Sequence, residues 1–331
     1  MRLDLQSHAK LVFHGLGYIA GQLELTSNCK QRCAFCRSWR DHKSGKCKGE
    51  FSWKQLNHVL WQLKDMPTFE NLTFTGGEPQ CWPLLEEVML QVPKLLNFGL
   101  SVNTTLSEPI RVREAWLNFR SIRVSLDSVD KKTYQALRGV PIDPEEILTR
   151  VEELGHPNWS TMTCVSQKNV MEIPTILSRL AKMRCRPRKV MFLPVLGSDN
   201  LDRGLYKVLS QQMQKFEHPF QTNFAEDVNT LLGGSMCRAV PCYAGRVSFH
   251  IKANGDLYPC CLIGGEAVET VEKFKFGNVN ETDLYTIRKK NMDLPCHYLR
   301  EDSPCLKVCQ WKQTMLNFVA HESRNVKISM P

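Results

Sequence analysis

The sequence predicts an α/β protein: a partial (β/α)6 TIM-like barrel followed by a small cysteine-rich C-terminal domain. From residue 19 to about 195, short apolar runs alternate with amphipathic stretches, as repeated βα units around a parallel sheet require. Polar residues also occupy alternate positions in several runs, so one face of those strands meets something wet. Beyond Gly233 and Gly234 the chain becomes cysteine-dense and poor in strands.

Strands are expected at residues 19–25, 71–75, 100–103, 122–126, 161–165 and 190–195. Ser52 is placed to cap a helix whose Leu56, Val59, Leu60 and Leu63 share a face. Pro83 suits the first turn of a second helix, carrying Leu84, Leu85, Val88 and Met89. Further helices are expected at 108–117, 144–154, 171–183 and 201–216, and a β-hairpin at 247–258 with a tight turn at Asn254-Gly255. Gln22 and Glu24 in the first strand, and Arg123, Ser125 and Asp127 in the fourth, do not suit a dry interior. They suit an open barrel that holds a polar ligand near the C-terminal ends of its strands. The expected organisation is an N-terminal extension (1–18), the barrel (19–200), a connecting helix and linker (201–235) and the cysteine-rich domain (236–331).

The chain of 331 residues has no run of eighteen apolar residues and no secretory h-region at its N-terminus, which predicts a soluble, cytoplasmic protein with no membrane partner. Fourteen cysteines in a reducing compartment speak for metal or cluster binding rather than disulfides. A net charge of +9 favours anionic partners, although the basic residues are scattered and runs as short as residues 184–189 fit a solvated surface.

The segment SNCKQRCAFC sets Cys29, Cys33 and Cys36 as CxxxCxxC directly after the first strand. Three thiolates can each hold one iron of a four-iron cubane and leave the fourth iron open to a chelating molecule. The other reading is a zinc site completed by His42 or Cys47. Phe35 occupies the aromatic place in CxxxCxΦC, and Gly76-Gly77-Glu78-Pro79 follows the apolar strand NLTFT. Together these residues resemble the radical S-adenosylmethionine (SAM) superfamily. The resemblance implies a [4Fe-4S] cluster on Cys29, Cys33 and Cys36 that binds SAM. One-electron cleavage of that SAM gives a 5'-deoxyadenosyl radical able to take hydrogen from carbon.

The same resemblance assigns further SAM contacts. Phe35 would pack near adenine, and Gly76, Gly77, Glu78 and Pro79 would meet the amino group, through exposed backbone and the Glu78 side chain. Asn103 lies where the family has a ribose contact, without the usual following glycine. Ser125 and Asp127 in VSLDS match the fourth-strand segment, Arg138 in Arg-Gly would pair with the SAM carboxylate, and backbone at Leu193 and Pro194 would meet adenine.

In the C-terminal region twelve residues separate Cys242 from Gly255 and four separate Gly255 from Cys260, followed by Cys305 and Cys309. This resembles the SPASM and twitch branch, in which a hairpin presents thiolates to an auxiliary cluster. Because Cys296 stands alone and no cysteine follows Cys309, the shorter twitch form is expected, with one auxiliary [4Fe-4S] cluster on Cys242, Cys260, Cys305 and Cys309. Cys237 and Cys261 are reserve ligands, and structural zinc on the same thiols is the alternative.

Members of that branch act on peptides, protein side chains and small polar metabolites. The expected activity is hydrogen abstraction from a short peptide or small metabolite, leading to oxidation, epimerisation or cross-linking, with an electron donor such as flavodoxin or ferredoxin. Radical modification of a nucleotide or RNA is the second reading, and a metal-stabilised binding protein the third. Cys164 shares its strand face with Met162 and Ser166. It is either a packed core cysteine or, if that face lines the barrel, a hydrogen-atom donor to a substrate radical.

Overall fold

The computed structural model describes residues 17–36, 48–195, 219–222, 244–261 and 272–291. The expected helix at 201–216 lies outside these residues, as do Cys47, Cys237, Cys242, Cys296, Cys305 and Cys309. Strands β1 (Ala20–Thr26), β2 (Asn71–Gly76), β3 (Gly99–Thr104), β4 (Ser121–Ser125), β5 (Trp159–Val165) and β6 (Lys189–Pro194) pair in chain order, all parallel. This is the curved sheet of a partial barrel, α/β with helices on its outer face, as the alternation requires.

The helices follow local signals. Ser52 and Gln55 form a capping box at the start of α1 (Trp53–Lys64), which buries Leu56, Val59, Leu60 and Leu63. The second helix, α2 (Leu85–Gln91), starts shortly after Pro83. The helix expected at 108–117 shrinks to α3 (Arg113–Leu117), because the residues before it bond elsewhere: Gln80 Nε2 donates to the Glu108 carbonyl, and Arg111 N–H donates to Glu86. A helix not anticipated, α4 (Lys131–Arg138), is capped by Asp130 and ended by Gly139 in the left-handed region, φ 67°. Asp143 caps α5 (Pro144–Leu154), and α6 (Ile173–Ala181) follows a 3-10 turn at Val170–Glu172.

Strands β8 (Ser248–Ile251), β9 (Asp256–Tyr258) and β10 (Gly277–Asn278) extend the same sheet beyond β1, and β7 (Gln221–Thr222) extends it beyond β6. Thus β8 pairs parallel with β1, and β9 returns antiparallel. The hairpin turns at Asn254-Gly255 through a three-residue loop. Lys252 N–H bonds the Asp256 carbonyl, Gly255 N–H bonds the Lys252 carbonyl, and Gly255 takes φ 91°, the arrangement of a turn closed by a glycine bulge. The last described helix, α7 (Leu284–Asn291), touches α1, where Leu284 N–H donates to Gln62 Oε1.

Side-chain alternation divides the sheet. Leu23, Leu25, Leu72, Phe74, Leu100, Val102, Ile122, Val124, Val190 and Phe192 join the helix-facing core. The opposite face carries Gln22, Glu24, Thr73, Ser101, Asn103, Arg123, Ser125, Ser160, Met162 and Cys164, so the lumen is polar. Among the described residues no helix is long and apolar enough to cross a membrane.

Candidate active site

The loop after β1 is built by its contacts with two neighbouring segments. Gly77 N–H donates to the Thr26 carbonyl and Glu78 N–H to the Asn28 carbonyl, each at 2.8 Å. A Cβ on Gly77 would stand 2.3 Å from the Asn28 oxygen, and one on Gly76 would stand 2.4 Å from the Thr26 oxygen. The glycine pair therefore serves close approach between GGEP and the cysteine loop, two pieces of the same chain. On the other side, Arg32 and Ala34 N–H groups donate to the carbonyls of Arg138 and Leu137, the C-terminal end of α4.

Cys33 is buried, and Cys29 and Cys36 are partly buried; none of the described cysteines is in a disulfide. Burial, reinforced by Glu78 and the other two cysteines, pushes the Cys29 thiol up to about 12. Cys33 is also raised by burial, against the pull of Arg138. Among the described residues no three cysteine, histidine or carboxylate side chains are gathered as a metal ion would hold them, while three thiols on one loop have the number and chemistry of a cubane's protein ligands.

Glu78 is 2 % exposed. Its carboxylate accepts from Thr104 Oγ1 (2.6 Å), Thr105 N–H and Oγ1 (both 2.7 Å) and Gln80 N–H (3.1 Å). Burial raises its pKa while these donors work the other way. The carboxylate thereby ties the ends of β2 and β3 together. Pro79 is buried at the start of the next 3-10 turn.

Asp127 and Arg138 meet each other in the interior. Arg138 Nε lies 2.6 Å from Asp127 Oδ2, with side chains 6 % and 0 % exposed. Asp127 Oδ1 accepts the Cys164 N–H at 2.7 Å. Arg138 Nη1 reaches Gln31 Oε1 at 3.4 Å and Cys33 Sγ at 3.6 Å, and the guanidinium lies 5.5 Å from the Phe35 ring centre. The pair is buried, and through Arg138 it reaches the cysteine loop at Cys33.

Other predicted residues line the lumen. Ser125 and Leu193 are partly exposed, Pro194 ends β6, and Asn103 Oδ1 accepts from Arg123 Nη1 at 3.1 Å. Cys164 lies with Met162 on the partly exposed face of β5, and burial beside Asp127 pushes its thiol far up. Ser166 does not share that openness: it is 4 % exposed in a turn closed by Asn169. Sequence reasoning gave no role to Gln31 and Thr105, and did not pair Glu24 with His250, whose Nε2 lies 3.1 Å from Glu24 Oε1.

The register sets the two cysteine groups at opposite ends of the lumen. Cys29, Cys33 and Cys36 follow the C-terminal end of β1. Tyr258 pairs with His250, itself opposite Gln22, so Cys260 and Cys261 continue toward the N-terminal end of β1. Cys260 and Cys261 are partly buried.

A barrel of this kind, with a three-thiolate loop at its mouth and a cysteine-bearing hairpin on its edge strand, defines a class of SAM-dependent iron–sulfur enzymes. The radical SAM superfamily model matches residues 23–180, and the SPASM model, an iron–sulfur cluster-binding domain, matches residues 242–311. The chain belongs to the radical SAM superfamily, in its SPASM branch. Its cofactors are accordingly SAM with a [4Fe-4S] cluster and auxiliary iron–sulfur clustering in the SPASM domain.

Among solved structures, Streptococcus suis SuiB bound to S-adenosylmethionine has a TM-score of 0.66 at 16% identity, over 94% of this chain and 73% of that one. Native anSMEcpe with bound AdoMet and a Cp18Cys peptide has a TM-score of 0.61 at 15% identity, over 93% and 99% of the two chains. These likenesses speak for the fold. A curated relative from Methanopyrus kandleri, a probable GTP 3',8-cyclase, is 22% identical over 76% of this chain and 87% of its own.

Proposed function

We propose that this radical SAM enzyme abstracts a hydrogen atom from a carbon of a short peptide or small polar metabolite held in the barrel lumen, as a step of oxidation, epimerisation or cross-linking. The observation that carries this reading is the polar lumen between two cysteine groups at its opposite ends. When bound, the [4Fe-4S] cluster and SAM supply the one-electron chemistry that makes hydrogen abstraction from carbon feasible. Cys29, Cys33 and Cys36 hold that cluster. Phe35, the backbone of Gly76 to Pro79, Asn103, Ser125 and the end of β6 at Leu193 and Pro194 face SAM, while Asp127 and Arg138 position the loop. A single auxiliary cluster takes Cys242, Cys260, Cys305 and Cys309. Where the product is an epimer, the Cys164 S–H on the lumen face gives its hydrogen atom to the substrate carbon, and the sulfur radical left behind takes an electron and a proton to restore the thiol; flavodoxin or ferredoxin delivers the electrons.

SuiB has also been solved bound to its precursor peptide SuiA, and the anSMEcpe structure holds a peptide, which supports a peptide substrate. A nucleotide is the second reading, favoured by the name of the curated relative and by the net charge of +9. Anaerobic incubation with SAM and dithionite tests the activity. The wild type should form 5'-deoxyadenosine and methionine, and a soluble variant with Cys29, Cys33 and Cys36 all replaced by Ala should form neither. Equal 5'-deoxyadenosine from both proteins rejects the assignment.

A further inference from the structure

Strand β4 turns Ile122 and Val124 into the core and Ser121, Arg123 and Ser125 into the lumen. At the level of Ser121 the polar groups satisfy one another. Ser121 Oγ donates to Ser101 Oγ (2.9 Å), Ser101 Oγ to Asn71 Oδ1 (2.8 Å) and Asn71 Nδ2 to Thr73 Oγ1 (3.1 Å). One layer nearer the mouth this closure stops. Arg123 has five N–H donors and spends one on a neutral acceptor, Asn103 Oδ1 at 3.1 Å.

Among the described residues no carboxylate pairs with Arg123. Arg138, on the same side of the fold, has Asp127. Burial makes the charged form of Arg123 costly. A partly exposed guanidinium in the lumen with no carboxylate beside it among the described residues is poised to take an oxyanion, because its planar fork matches carboxylate and phosphate with two parallel hydrogen bonds.

We propose that Arg123 is the anion subsite of the lumen, and that the substrate carries a carboxylate or phosphate that seats on it between the two cysteine groups. This rests on the reading above that the lumen is the substrate site, and it narrows the substrate class: an uncharged sugar or apolar peptide end would leave the guanidinium unpaired. Seating the anionic group here would hold the rest of the substrate toward Ser125, Cys164 and the cluster loop.

The test uses the full-length, cluster-loaded chain under anaerobic conditions, with inorganic phosphate and glutarate as separate probes at constant ionic strength. Calorimetry on the wild type should show one site per chain for at least one probe, and Arg123→Gln should weaken it by about tenfold or more, with SAM affinity unchanged. Tighter phosphate binding assigns a phosphate-bearing substrate and tighter glutarate binding a carboxylate-bearing one. If Arg123→Gln does not fold, Arg123→Lys carries the test, because it keeps the charge but loses the two parallel hydrogen bonds of the guanidinium and should also weaken the probe. Absence of binding to the wild type, or equal binding by wild type and either variant, overturns the proposal. Neither measurement uses SAM cleavage, so a protein that binds the anion but forms no 5'-deoxyadenosine would refute the proposed activity and leave the subsite standing.

Discussion

Arg138 and Asp127 form a buried ion pair, Nε to Oδ2 2.6 Å, directly beneath the cysteine loop. Its surroundings join three elements: Asp127 follows β4 and accepts the Cys164 amide of β5, while Arg138 ends α4 and reaches Cys33. The cluster loop is thus held by a charge pair rather than by apolar packing alone.

Breaking that pair leaves an uncompensated charge in the interior. Asp127→Ala should lower stability by about 3–5 kcal/mol, the usual cost of removing one partner of a buried pair. Asp127→Ala combined with Arg138→Leu should recover part of it. Denaturant midpoints of the anaerobic proteins check this, and an Asp127→Ala midpoint equal to wild type would show that the pair does not support the fold.

Gly77→Ala should damage the cluster site selectively. Its Cβ meets backbone atoms of Asn28 and Ser27 at 2.3–2.6 Å, which cannot swing aside as a side chain can. Overpacking of this kind costs about 1–3 kcal/mol, and iron in the loop should fall with it. Gly155→Ala is the contrast: its nearest atom is 3.5 Å away and only the left-handed φ of 62° is strained, a cost of about 1 kcal/mol with iron content unchanged. Iron per chain, measured after identical reconstitution, separates the two.

His156 should make stability depend on pH. It is 2 % exposed, its Nδ1 accepts the Asn158 N–H, and its Nε2 lies 2.9 Å from the Phe119 carbonyl, so the neutral ring satisfies both contacts. Burial holds its pKa below the ordinary value near 6.5. The unfolded chain therefore binds a proton that the folded one refuses, and stability falls as pH drops below about 6.5. Unfolding at pH 7.5 and at pH 5.5 should differ by a term on the order of 1 kcal/mol that His156→Gln removes. The same pH dependence in both proteins would assign it to other groups.

Reconstituted wild type should carry about eight irons per chain if one auxiliary cluster is present, and the Cys29, Cys33 and Cys36 triple variant about four. A wild-type value near twelve would give the SPASM domain two clusters.

For Cys164 the discriminating measurement is solvent deuterium. With the true substrate in deuterated water, a donor thiol places deuterium on the product carbon, and Cys164→Ala stalls or yields oxidised product. Identical product from both proteins, without deuterium, would leave Cys164 as a lumen-wall residue and favour oxidation or cross-linking.

The sequence by itself determined the βα alternation, the wet face of the strands and the Cys29, Cys33 and Cys36 loop with its GGEP partner. These signals are local: hydrophobic period, turn residues and ligand spacing are all written within a few consecutive positions. The helix Lys131–Arg138 was legible in the same way, through Asp130 and Gly139, and was missed. Only the tertiary structure decided which polar groups are spent on one another. Glu78 closes on Thr104 and Thr105, and Arg138 on Asp127, whereas Arg123 meets, among the described residues, a single neutral amide. A carboxylate or guanidinium reads alike in sequence whether it awaits a ligand or is already paired. The difference arises from partners 11 to 27 positions away or more, brought together when parallel strands register and burial makes an unpaired charge costly.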